Sequence, residues 1–181
     1  MFEKYLQVFE ILDDTRMTES ESEERNECGR VTLAEPKIAE QRMIDSGKIK
    51  KLFENLNVEY IEKIVAELKN FLEGKIKEKI SGPKERYEGK LESALTPLIK
   101  LKLGENPIKV LSEIYYRLVK GHPFINGNKK IAAAFLLDAL SKLNIDLPDQ
   151  DVADITIYVA RSDAKEYAVV TRQITDYLER N

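Results

Sequence analysis

The chain has 181 residues, 43% of them hydrophobic and 34% charged, with a formal net charge of −3. That suits one folded domain with an appendage and a heavily charged surface, and it argues against disorder. The acidic balance argues against whole-molecule binding to nucleic acid or membrane. A single cysteine, Cys28, excludes an intrachain disulfide and a cysteine-based zinc site, and points to a reducing, cytoplasmic setting.

The N-terminal stretch MFEKYLQVFEILDD carries acids among its apolar residues, so it does not read as a signal peptide. No apolar run reaches the roughly 20 residues of a membrane span. Phe2, Leu6, Phe9 and Ile11 predict a short amphipathic helix over residues 2–12. DDTRMTESESEERNECGR follows, acidic and poor in large apolar residues, and reads as a mobile linker. Residues 1–50 are thus expected to be an N-terminal helix and an acidic linker. Residues 33–55 look weakly helical, with Pro36 in a first turn and Ser46-Gly47 as an interruption.

From Val58 onward, Ile61, Ile64, Val65, Leu68, Phe71 and Leu72 follow helical spacing, and this pattern fades near Ile80. SGPKERYEG reads as a loop. Residues 90–103 and 107–120 give two more helices joined by GENP, the second with a stripe of Val110, Leu111, Ile114, Tyr115, Leu118 and Val119. After the loop GHPFINGNKK comes IAAAFLLDALSKL, apolar all round from Ile131 to Leu137, as expected of a helix at the centre of a bundle. Pro148, with Asp149 or Asp151 as N-cap, opens a helix through Ala160, and Asp163 caps a last one to about residue 179. Ile155-Thr-Ile-Tyr-Val is β-branched and ambiguous, but no segment alternates with period two. The fold class is all-α, with at most a small β-hairpin near residues 80–88.

The loop before the apolar helix carries the chemistry. His122 is the sole histidine and can act as a general base near neutral pH. Gly127 permits an unusual backbone conformation at a helix start, where free N–H groups and the helix dipole favour an anion. Arg117, Lys120, Lys129 and Lys130 are the charged residues between Glu113 and Asp138, all basic. A base beside an anion cradle suits phosphoryl or nucleotidyl transfer. The plain alternative is an interhelical corner with solvated lysines.

HPFINGNKK resembles the Fic/Doc signature, His-Pro-Phe-x-(Asp/Glu)-(Gly/Ala)-Asn-(Gly/Lys)-Arg. YEGKLESAL, NKKIAAAFLLDAL and DVADITIYVARSDAKE are similar to its death-on-curing (Doc-like) branch, including Fic domains of RhuM-type virulence proteins. The resemblance implies a Fic-fold helical bundle with a hairpin flap over residues 57–181. It implies transfer of AMP or a phosphoryl group from ATP or another nucleotide to a protein hydroxyl, as in toxin–antitoxin systems, where an antitoxin would be a further partner. It makes His122 the catalytic base and Asn126, Gly127, Asn128, Lys129 and Lys130 the nucleotide-binding turn. Lys129 leans toward the Doc side.

Two positions depart from the pattern. Asn126 replaces the acid that helps hold Mg²⁺, leaving a weakened metal site. Lys130 replaces the closing arginine, keeping charge without the planar fork that grips phosphate. A catalytically impaired module that binds nucleotide or a protein partner is therefore the alternative reading. The family's inhibitory (Ser/Thr)-x-x-x-Glu-(Gly/Asn) motif is incomplete at each candidate, Thr15/Glu19 and Ser20/Glu24 among them. Residues 1–50 are expected to cover the basic cluster only through Glu19, Glu21, Glu23 and Glu24, a contact that salt would screen.

Overall fold

From Ile131 to Leu137 no residue exposes more than 2% of its surface. A helix without a polar face must be enclosed by others. The structure is a computed structural model that describes residues 5–19, 45–73, 75 and 88–181. In chain order its helices are α1 (Leu6–Glu19), α2 (Ser46–Glu54), α3 (Val58–Leu72), α4 (Glu88–Leu95), α5 (Pro107–Lys120), α6 (Asn128–Leu143), α7 (Asp149–Arg161) and α8 (Tyr167–Arg180). Two 3₁₀ segments, Thr96–Leu103 and Ala164–Glu166, complete the described elements. No strand occurs among the described residues. The all-α expectation holds.

Helix α6 packs against α1, α2, α3, α5 and α7, and α5 packs in turn against α4, α7, α8 and the longer 3₁₀ segment. The apolar stripe of α5 is fully buried, from Val110 to Val119. Tyr115 reaches across to α7, where its hydroxyl lies 2.7 Å from that of Thr156. Thr156 donates its own proton to the Val152 carbonyl, so Tyr115 is the donor to Thr156. Asp138, the one acid on α6, is 3% exposed. It accepts from Tyr60 of α3 and from Lys142 at 2.7 Å. Burial, then this carboxylate, push the Tyr60 phenol well above its usual range.

Helix ends follow local chemistry. Asn106 caps α5 by accepting from the Ile108 N–H at 2.9 Å, with Pro107 in the first turn. Asn144, at φ 58°, ends α6, and the Ile145 N–H returns to the Leu140 carbonyl at 2.9 Å.

Several expectations change. Helix α1 continues through Glu19, past the point where polar composition suggested a linker. Its buried face is Tyr5, Val8, Phe9 and Leu12, with Leu6 and Ile11 only partly buried. Packing against α6 and α7 carries this helix through a polar stretch of low propensity. Ser46-Gly47 starts α2 instead of interrupting it, because the Asp45 carboxylate accepts the Gly47 N–H at 2.7 Å. Helix α3 stops at Leu72, before Ile80. The N-cap position of α7 is Pro148, with no side-chain cap. Asp163 caps the short 3₁₀ turn that leads into α8, in a capping box with Glu166. The ambiguous Ile155–Val159 run is helical within α7. The hairpin expected near residues 80–88 lies outside the described residues, except Glu88, which begins α4.

Candidate functional site

Seven residues connect α5 to α6. The Gly121 N–H closes α5 by donating to the Arg117 carbonyl at 2.8 Å. Phe124 drives into the core at 2% exposure. The Asn128 side chain then locks the loop, accepting from the Phe124 N–H at 2.9 Å and donating to the Phe124 carbonyl at 2.8 Å. Gly127 turns into α6 at φ 77°, a left-handed conformation that costs glycine little and other residues more.

His122 stands on this fixed corner. It is exposed and adopts φ 45°, a region few non-glycine residues visit. Partial burial lowers the affinity of its ring for a proton, and Lys90, Lys120 and Lys129 lower it further. Both effects favour the neutral imidazole, the form that can accept a proton. Facing the same corner, α6 makes its first internal bond from the Ile131 N–H to the Gly127 carbonyl at 2.8 Å. Asn128, Lys129 and Lys130 form the first turn that precedes that bond, the end of a helix at which the dipole favours an anion.

The four basic residues expected to form one cluster do different things. Arg117 donates to the Ser93 carbonyl at 3.0 Å and the Thr96 hydroxyl at 2.8 Å, tying α5 to the end of α4 and the start of the 3₁₀ segment. Lys120 donates to the carbonyls of Ala160 and Ser162 at 3.0 and 2.6 Å, so it caps the end of α7. Lys130 points inward, is 1% exposed and forms an ion pair with Asp13 of α1. Lys129 is half-buried and acts on His122. The Asn128 amide is engaged within the loop, which leaves its backbone N–H as the group it can offer a ligand. Asn126 is exposed on the loop.

Two residues at this site carry no motif signal. Lys90 arrives on α4 and joins Lys120 and Lys129 around His122. Asp13 arrives on α1 and takes the charge of Lys130. Neither has a sequence spacing that relates it to the loop. Glu21, Glu23 and Glu24 lie outside the described residues, as does the side chain of Glu19.

Magnesium binding generally relies on one or two carboxylates plus substrate phosphates. At this turn Asn126 offers only an amide oxygen. No group of three His, Cys, Asp or Glu among the described residues is placed to hold a metal ion. An amide oxygen in place of a carboxylate makes this turn a weaker donor set for Mg²⁺. Among the described residues no helix is long and apolar enough to cross a membrane.

No curated protein and no solved structure matches the chain. A family model described as Fic/DOC family matches residues 50–140. The match runs from within α2 to within α6 and contains the whole His122 corner, while α1, α7 and α8 fall outside it. Since the match spans half of the sequence and includes the loop on which His122 stands, the chain belongs to the Fic/DOC family.

Proposed function

We propose that the protein transfers AMP or a phosphoryl group from a nucleotide, ATP in the first instance, to a hydroxyl of another protein. The observation that supports this best is the position of His122 on a hydrogen-bonded corner beside the N-terminus of α6, where partial burial and nearby lysines lower its proton affinity. In this reading His122 accepts the proton of the attacking hydroxyl. That oxygen bonds to phosphorus as the bridging oxygen of the nucleotide departs with its electron pair. AMP transfer releases pyrophosphate, and phosphoryl transfer releases ADP. The α6 N–H groups and Lys129 carry the negative charge on the non-bridging oxygens. A place in a toxin–antitoxin pair belongs to this same proposal.

The test is label transfer to proteins of a cell extract from ATP labelled at the α- or the γ-phosphate. Retained α-label indicates AMP transfer and retained γ-label alone indicates phosphoryl transfer. His122→Ala should reduce either by at least about 100-fold, the usual contribution of a general base. His122→Asn is the folding control, because asparagine tolerates positive φ. Equal labelling by wild type and both variants would sink the mechanism.

The burial of Lys130 against Asp13 favours a second reading, in which the module binds nucleotide or a protein partner without catalysis. ATP affinity with and without Mg²⁺ separates the two. Metal-dependent tightening supports the transferase, and binding indifferent to the metal supports the module.

A further inference from the structure

Among the described residues, His122 and Asn144 are the non-glycine residues with positive φ. Asn144 ends a helix, where asparagine takes this conformation at little cost. A histidine there is strained, and such a backbone persists only where the surrounding structure over-determines it. On the C-terminal side of His122 the holding contacts are the buried Phe124 ring and the two bonds of its backbone to the Asn128 side chain. The N-terminal side must be held as well. Between Val119, the last buried residue of α5, and His122 stand only Lys120 and Gly121.

Lys120 is the last residue of α5, and its ammonium reaches the end of α7, donating to the Ala160 carbonyl at 3.0 Å and the Ser162 carbonyl at 2.6 Å. Carbonyls at the end of a helix lack partners within it, and the dipole is negative there, so a cation is well placed. The receiving end is itself fixed. The Ser162 N–H donates to the Tyr158 carbonyl at 3.0 Å, and the Ser162 hydroxyl donates to the Val159 carbonyl at 2.8 Å. Gly121, between Lys120 and His122, has no room for a side chain, since a Cβ there would come within 2.6 Å of the Arg117 carbonyl oxygen. The chain therefore passes from the anchored lysine to His122 through one residue pressed against the α5 backbone.

We propose that Lys120 is a positioning residue for His122: its two bonds to the end of α7 brace the N-terminal side of the strained turn on which the imidazole stands. Helix α7 and Ser162 lie beyond the family match over residues 50–140, so a part of the chain outside that match holds the histidine in place. Three charged groups bear on His122, Lys90 from α4, Lys120 from α5 and Lys129 from α6. Lys120 differs from a plain neighbouring charge by its anchor on α7. The expected effect on transfer rests on the reading of His122 as the base, whereas the positioning itself is measured without any substrate.

The test compares Lys120→Met, Lys120→Arg and Lys90→Met in the full ¹⁵N-labelled chain, with folding followed by circular dichroism. Either methionine removes one positive charge, so both should raise the pH at which the His122 ring titrates. Only Lys120→Met removes the anchor. In that variant the amide order parameters of Gly121 and His122 should fall from the rigid value of about 0.85 to about 0.6 or below. Lys90→Met should leave them unchanged, and Lys120→Arg should largely keep them. Ser162→Gly removes the hydroxyl bond to Val159 and loosens the receiving end. It should lower the same two order parameters in the wild-type background and not in Lys120→Met. Where label transfer is measurable, Lys120→Met should cut kcat by about 100-fold and change the KM for ATP little. Lowered order in a chain with no transfer at all supports the positioning and removes only the transferase reading. Unchanged order at Gly121 and His122 in Lys120→Met would overturn the inference, as would unchanged order in Ser162→Gly should Lys120→Met fail to fold. An equal fall in Lys90→Met would overturn it too.

Discussion

Lys130, the third residue of α6, forms an ion pair with Asp13, 117 positions earlier in the chain. Lys130 is 1% exposed and Asp13 23%. A lysine inside the core needs a counter-charge, and α1 supplies it. The pair joins a helix outside the family match to a residue within it.

Asp13→Asn should therefore destabilise the fold by on the order of 2–3 kcal/mol, below the full figure for a buried pair because Asp13 keeps some exposure. Denaturant unfolding measures this. If Lys130 also serves the nucleotide, ATP should raise the melting temperature of the variant more than that of wild type, because phosphate then replaces the lost carboxylate. An equal rise in both would make Lys130 purely structural. Added salt should change the wild-type contact little, since buried pairs are poorly screened. This differs from the salt-sensitive cover expected of the glutamates at 19–24.

The pH dependence follows from His122. Its proton affinity is lowered by burial and by Lys90, Lys120 and Lys129. The unfolded imidazole binds its proton near 6.5, and the folded one binds it at lower pH. On acidification the unfolded chain takes up the proton first. Stability is thus complete above about pH 6.5 and declines below it. Any transferase activity should keep its base form down to the same lowered value. Lys90→Glu should move the titration and the acid limb of activity upward together. With one histidine in the chain, a single imidazole resonance reports the result. An unmoved resonance would remove Lys90 from the site.

Much of this corner is legible in the sequence because it is local. The uninterrupted apolar run 131–137 implies a central helix, and His122, Gly127 and the α6 start are fixed by neighbours within a few residues. Long-range pairing is not legible. Nothing near Asp13 signals a partner on α6, and DDTRMTE lacks the apolar spacing that would extend α1. Arg117 looks like a site charge until the structure shows it bonded to the Ser93 carbonyl, and Lys120, although it acts on His122, is anchored on carbonyls at the end of α7. Leu95, Leu98 and Leu101 fit a stripe of either helix type, and backbone geometry decides between them.

Asn126→Asp should restore a carboxylate at the turn. We expect tighter ATP binding in the presence of Mg²⁺, with little change in its absence. Isothermal titration with and without the metal measures this. An identical Mg²⁺ response in wild type and variant would mean that the amide is not what weakens the metal site.

Gly127→Ala places a side chain at φ 77°. The cost is about 1–2 kcal/mol of stability if the turn persists. A rotated turn would instead misalign the first N–H groups of α6. Nucleotide affinity should then fall more than stability, and a variant that loses stability but keeps full affinity would show that these N–H groups do not bind the phosphates.

The central claim is that His122 and the start of α6 form one nucleotide site. Titrating ATP into the ¹⁵N-labelled chain while following the His122 ring and the amides of Asn128, Lys129 and Lys130 tests it without any protein substrate. The account predicts that these four signals shift together and saturate at one ATP concentration, and that His122→Asn keeps the three amide shifts. Saturable ATP binding that leaves all four unmoved would contradict it.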